Sequence, residues 1–320
     1  MIEDILINLL FIINMTFLTI YPAFMANKHK VKFQKDNKYS GWFMNNWLKE
    51  TKHINVKTKL NINDKKIQIL LPYLEKLKDY TSENNLQTIY NNLRTVKVKR
   101  NFGIIMFGAS GTFDSTTNSI IYFSNNDLGH EFLHCASSYY SSKTKQNEVG
   151  FKRGIEKDKI GVGLNEGYTE LLSSRLYNKN NEVRSYHNEV SIVKLLEFFF
   201  DNPKDMEKYY FNHNLPGFIE QMEKFVSRQE VINLILDMDK ITLASKGVNH
   251  VPRIETIKLK ITLYKWYRNK CKNPEKMQEF IKELFKDKFV AMILRKEKFK
   301  LCRENVYVNN KINNEKGKSR

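Results

Sequence analysis

Two short stretches carry side chains able to act together on one metal ion. His130-Glu131-Phe132-Leu133-His134 is an H-E-x-x-H pentapeptide, and Gly163-Leu164-Asn165-Glu166-Gly167-Tyr168-Thr169-Glu170 follows about thirty residues later. On a helix, positions four apart differ in direction by only about 40° and lie about 6 Å apart along the axis. Both imidazoles can therefore reach one ion. Glu131 points about 100° away from His130, so it stands beside a bound water rather than sharing the metal. In that arrangement zinc acidifies a water and a carboxylate removes its proton.

Each stretch taken singly has a plainer reading. The first can be a buried helix whose histidines are satisfied by hydrogen bonds, and the second an N-terminal turn made acidic to suit the helix dipole. Together they favour a metal. A zinc site with two histidines needs a third protein ligand and keeps its fourth position open. With Asn165 as N-cap, Glu166 and Glu170 fall on the first turns of a helix, four apart on one face. Glu166 can then be the third ligand. Glu170 can take a histidine N–H from behind, fixing the tautomer and raising ligand basicity.

The two motifs, as spaced here, resemble those of the gluzincin metallopeptidases, the superfamily of thermolysin and the zinc aminopeptidases. The resemblance spans about 60 residues, from the strand before the first motif to the end of the second helix. It implies His130, His134 and Glu166 as ligands of one zinc ion, Glu131 as general base and Glu170 as the support of a histidine. It also implies a peptide or protein substrate, a zincin-like lobe in which an edge strand pairs with extended peptide, and a helical lobe forming the other wall of the cleft. The chain departs from that pattern twice. The gap from His134 to Glu166 is longer than in the best-known members. No aminopeptidase-type Gly-x-Met-Glu-Asn segment lies upstream, where Gly108-Ala109-Ser110-Gly111 is only a Gly-containing turn. The resemblance thus specifies the metal more closely than the substrate. A peptidase also needs a second electrophile facing the zinc. Tyr186 and His187 are the candidates that follow the ligand helix closely, with His213 and His250 further off; Tyr168 reads as packing. The alternative function is a zincin-like scaffold that holds metal without turnover, a use for which Glu131 would be superfluous.

The elements that must position these residues are legible in outline. Ile67, Leu70, Leu71, Leu74 and Leu77 recur at helical spacing across residues 64–80, with Pro72 starting or kinking the run. Residues 82–94 read as a second helix capped by Ser82. Thr95–Lys99 alternates as a strand, Gly103–Phe107 is a short apolar run, and Asn118–Ser124 is a third strand, with Ile120–Phe123 the expected edge. Asn125-Asn126-Asp127 caps the motif helix. Residues 141–162 form a polar, Lys-rich connection, read as a surface loop or a lid. Beyond residue 170 apolar stripes at helical period continue through 189–200, 204–212, 216–238 and 255–296. The fold class is α+β and predominantly helical. Its expected divisions are a hydrophobic segment and basic linker at 1–40, a zincin-like catalytic lobe at 41–176, a helical lobe at 177–296 and a basic tail at 297–320.

Composition bounds the rest. The 320 residues, 41% hydrophobic and 12% aromatic, exclude a wholly disordered chain. The net charge of +18 suits nucleic acid or anionic membrane. Lys, Asn and Ile are nevertheless abundant throughout and gather into no single aromatic-studded patch, so the charge reads as compositional bias and no specific nucleic-acid partner is expected. Residues 5–25 carry no charge and have the length of a membrane span; the alternative is a helix packed on the domain. Lysines follow this segment, which places the body of the protein in the cytoplasm. Cys135, Cys271 and Cys302, an odd and widely spaced set, agree with a reducing compartment.

Overall fold

Ile67, Leu70, Leu74 and Leu77 share one buried stripe, and the helix that carries them, α1 (Lys65–Lys78), is opened by the Asp64 carboxylate, which accepts the Lys66 N–H at 3.0 Å. Pro72 lies inside this helix rather than at its start. The computed structural model describes residues 60–107, 110–141, 146–155, 158–245 and 252–295. The apolar stretch 5–25, the linker to residue 40, the aromatics Trp42, Phe43 and Trp47, and the tail 297–320 lie outside the described residues. Among the described residues no helix is long and apolar enough to cross a membrane.

Helix α2 (Glu83–Thr95) begins where Ser82 accepts the Asn85 N–H. A three-stranded sheet follows from β1 (Lys97–Arg100), β2 (Gly111–Asp114) and β3 (Ser119–Tyr122), in the order β1-β3-β2. The apolar run at Phe102–Phe107 is a 3-10 helix, not a strand; so short a run has too few residues for its period to decide between the two. The expected edge, Ile120–Phe123, is overturned as well. β3 is the central strand, parallel to β1 and antiparallel to β2, with Ile120 and Tyr122 buried. The edge beside the motif helix α3 (Asn125–Ala136) is β2.

The described residues of 141–162 are not a loop. They supply most of a second, antiparallel sheet of β4 (Ser138–Ser141), β5 (Gln146–Val149), β6 (Lys152–Ile155) and β7 (Asp158–Ile160), in chain order. Its polarity concealed it, because one face is built on an ion pair. Glu148 and Arg153 sit opposite each other in register and meet at 2.6 Å, 1% and 2% exposed. Gly150, at φ 54°, makes the β5–β6 turn in a conformation that favours glycine.

Helix α4 (Val162–Leu176) carries the second motif and starts earlier than the sequence suggests. Its N-cap is Gly161, at φ 80°, and Asn165 lies within the helix. The cap that Gly161 lacks comes from far along the chain. Asp239, on α8 (Arg228–Ser245), is buried and accepts the N–H of Gly161 at 2.9 Å and of Gly163 at 2.7 Å. Helices α5 (His187–Leu196), α6 (Lys204–Phe211) and α7 (Leu215–Glu223) come between. Two glycines let α4 close on its neighbours. A Cβ on Gly163 would lie 2.3 Å from the Met238 carbonyl oxygen of α8, and one on Gly167 would lie 2.8 Å from Glu189 Cβ of α5.

The chain divides into two compact units, residues 1–256 and 257–320. The division falls inside the stretch that the sequence assigns to one helical lobe. Helix α9 (Pro252–Lys270) runs across it. In the second unit α9 and α10 (Pro274–Leu284) meet through Tyr267 and Phe280, stacked at 4.5 Å, and Lys260 pairs with Asp287 at 2.9 Å. The architecture is α+β and mostly helical. Because Asp239 satisfies two buried amides at the start of α4, Asp239→Ala is expected to destabilise the protein by about 1–3 kcal/mol. The measurement is the urea midpoint, which should fall with the slope of the transition unchanged.

Candidate metal centre

The first motif is held by a reciprocal cap. Ser124 is the N-cap of α3, its hydroxyl and backbone N–H both bonded to the Asp127 carboxylate, with the N–H contact at 3.1 Å. The expected cap at Asn125-Asn126-Asp127 is thus one residue late, and Asp127 contributes as the partner at N3. The helix that follows is buried from Leu128 to Ala136. It packs on β2 and β3 on one side and on α4 on another.

Where α3 meets α4, three ligand-type atoms converge. His130 Nε2 and His134 Nε2 are 3.0 Å apart, and Glu166 Oε2 lies 3.3 Å from the first and 3.2 Å from the second. A tetrahedral ion with bonds of about 2.0–2.1 Å sets its ligand atoms about 3.3–3.4 Å apart. The triangle therefore fits a small divalent ion, and these three residues form the one such group among the described residues. Glu131 is not part of it, as its direction on the helix requires.

Behind the triangle, every ligand ring has a partner. His130 Nδ1 donates to Glu170 Oε2 at 3.0 Å, so Nε2 is the ring atom that faces the centre. Glu170 is fixed in turn by the backbone N–H of Arg184 at 2.7 Å and the Ser185 hydroxyl at 3.0 Å. The far side of the His134 ring faces the Asn165 amide at 3.3 Å and the Thr169 hydroxyl at 3.5 Å. Asn165 Oδ1 accepts the Phe151 N–H, tying the second sheet to this ring, and the Thr169 and Tyr210 hydroxyls are hydrogen-bonded at 2.8 Å. Asn165 thus supports the site from inside α4 instead of capping the helix. Thr169 and Tyr210 were not legible as site residues. The only sequence signal for Thr169 is its place four after Asn165, and Tyr210 carries none.

The electrostatics follow from burial around three carboxylates. Burial opposes a charge on His130, but Glu166 and Glu170 outweigh it and raise its pKa to about 10. His134 is lowered by burial to about 4, so it is neutral at pH 7. Glu131 is raised by burial to about 7, with the positive charge on His130 opposing the shift and the negative charge on Glu166 reinforcing it. The Glu166 and Glu170 carboxylates thus favour a positive charge on the His130 ring, whereas burial disfavours one on His134.

Of the proposed electrophiles, Tyr186 reaches the centre. Its ring stacks on His130 at 5.7 Å, tilted 18°. Burial and the nearby carboxylates of Glu166 and Glu131 hold its hydroxyl protonated, well above the ordinary tyrosine range. Its backbone is left-handed, at φ 52°, where it caps α5. His187 is exposed on the first turn of α5. His213 is buried in the turn after α6, and His250 lies outside the described residues. Tyr168 packs between Phe151 and Tyr210, as expected. On the other side of Glu131 lies Gly111, the first residue of β2. A Cβ there would come within 2.8 Å of Glu131 Oε1. The edge strand thus runs against the Glu131 carboxylate, and a side chain at residue 111 would displace it.

Compared with protein-family models, with curated proteins and with solved structures, the chain matches none.

Metal must displace the proton on His130, since the pKa of that ring lies above neutrality, whereas His134 is already neutral. Binding of a divalent ion at pH 7 should therefore release about one proton, and affinity should fall about tenfold per pH unit as pH drops from 8 to 6. Calorimetry in buffers of different ionisation enthalpy measures the proton count. Glu170→Ala should weaken metal binding about 10–100-fold with the ion still bound at one per chain, and His134→Ala should abolish stoichiometric binding; competition with a chromogenic chelator reads both.

Proposed function

We propose that the protein is a zinc-dependent peptidase of gluzincin type, hydrolysing peptide bonds in a peptide or protein substrate. The observation that carries this reading is the convergence of His130, His134 and Glu166 at tetrahedral spacing, with Glu131 beside them and outside the ligand set. Two imidazoles and one carboxylate are the donor set of a catalytic zinc, three protein ligands with one position left for water or substrate. A site serving structure alone would close the fourth position and would gain nothing from a buried carboxylate next to it.

Bound zinc would lower the pKa of a water towards 7 and polarise the substrate carbonyl. The remaining steps belong to this chain's own residues. Glu131, buried beside the triangle and outside the ligand set, takes the proton from the attacking water, later giving it to the leaving amine. Tyr186, held protonated, donates its hydroxyl to the carbonyl oxygen as negative charge develops there. Glu170 keeps His130 in the Nδ1–H tautomer throughout. An extended peptide has a template in β2, whose one side pairs with β3 and whose other is the edge of the sheet. Main-chain pairing there would lay the scissile bond past Gly111 towards Glu131, reading backbone shape more than side chains. Cys135 and Cys271 are free thiols, which accords with the cytoplasm as the proposed compartment.

The decisive variant is Glu131→Gln. It should retain one zinc per chain and lose about 10²–10⁴-fold in kcat on a mixed peptide pool read by mass spectrometry. Tyr186→Phe should lower kcat about 10²–10³-fold with KM and zinc content little changed. Zinc-loaded wild type that cleaves nothing in the pool would leave the metal-holding scaffold as the reading.

A further inference from the structure

The positive charge of the chain is unevenly placed. Residues 257–320, the second compact unit, hold 19 Lys and Arg against 7 Asp and Glu, which is +12 of the total +18. The other 256 residues hold 34 against 28, or +6. Two of the unit's acids are already engaged within it, Glu283 by Lys286 and Asp287 by Lys260.

The end of the described chain adds apolar surface to this charge. Residues 288–295 are helical, with Val290, Ala291 and Leu294 buried on one face. On the other face Phe289 is 45% and Met292 47% exposed, three residues and so nearly one turn apart. Lys288 and Arg295 are exposed on the same helix, and Lys282 and Lys286 on the turns before it. The Arg295 guanidinium lies 5.7 Å from the Phe285 ring. Phosphates of a nucleic acid would engage the lysines but would offer Met292 nothing. The boundary between lipid headgroups and acyl chains accepts both, apolar side chains below and ammonium groups at the phosphates.

We propose that this end of the second unit, centred on Phe289 and Met292 with Lys288 and Arg295 on the same helix and Lys282 on the helix before it, docks on an anionic lipid bilayer. The proposal does not depend on the peptidase reading. It gives the unit a task separate from the metal centre, which is to hold the protein at a negatively charged membrane surface. The charge supplies attraction over about a Debye length and the two apolar side chains supply the hold at contact.

The test is co-sedimentation of the full chain with phosphatidylcholine vesicles, with and without phosphatidylserine, over a salt series. Binding should be about tenfold tighter to the anionic vesicles and weaken with salt. F289S/M292S, on exposed positions, should lower it about tenfold with the thermal unfolding midpoint unchanged, and K282E/K288E should do the same. Equal binding to neutral vesicles would overturn the proposal. So would undiminished binding of F289S/M292S, which would place the anchor elsewhere, the uncharged residues 5–25 included. Absence of vesicle binding, with single-stranded RNA bound equally by wild type and F289S/M292S, would make the surface a nucleic-acid one and overturn it too.

Discussion

Three ligand atoms from two helices are held within 3.0–3.3 Å of one another, and that spacing is the constraint the first unit is built to satisfy. Two imidazole nitrogens and a carboxylate oxygen face inward there, bridged by His–Glu contacts at 3.2 and 3.3 Å. The helices are also pressed together by forces from outside the triangle. Those forces are visible. Glu170 pulls the His130 ring from behind, and Asn165 and Thr169 hold the His134 ring. The ligand helix α4 is itself fixed at its start by Asp239 of α8 and along its length by the close approaches at Gly163 and Gly167. Asp239 and the residues met at Gly163 and Gly167 stand on α8 and α5, helices that contribute nothing to the triangle.

This layout explains why so much of the molecule surrounds so small a centre. Burial raises the Glu131 carboxyl to about 7 and lowers His134 to about 4. Both shifts require the low-dielectric surroundings that the first sheet, α3, α4 and α5 create together. The second sheet does similar work at one remove. Its Glu148–Arg153 pair is desolvated, so its direct contribution to stability is small. Its use is positional, since the Gly150–Phe151 turn between β5 and β6 delivers the N–H that orients Asn165. Left-handed backbone at Tyr186 turns the chain so that the ring stacks on His130 while the next residue begins α5. The same turn carries His187 outward to solvent, although the two are adjacent in sequence.

Helix-borne features were legible because their signal is periodic and local. His130 and His134 share a face by helix geometry alone. Glu166 and Glu170 do so as well, whichever residue caps α4. Ser82 and the stripe Ile67–Leu77 were equally plain. Sheets were less so, since four-residue strands give two repeats of a two-residue period. β2 went unread behind a Gly-containing turn, β3 was placed at the edge when it is central, and the Lys-rich meander β4–β7 looked like a loop because its buried face is charged.

The sequence by itself determined the chemistry on offer: which donor types exist, that the two histidines lie together on one helix face, and that Glu131 must point elsewhere. It also determined the predominance of helix. Tertiary structure alone decided that Glu166 closes the triangle, that Tyr186 and not His187 faces it, and that Gly111 of β2 flanks the carboxylate. The physical reason is range. Helical periodicity fixes relations within about four residues, whereas Asp239 lies 78 residues from Gly161 and Tyr210 lies 41 from Thr169. Contacts at such separations are set by which faces can be buried together, and no local pattern records them.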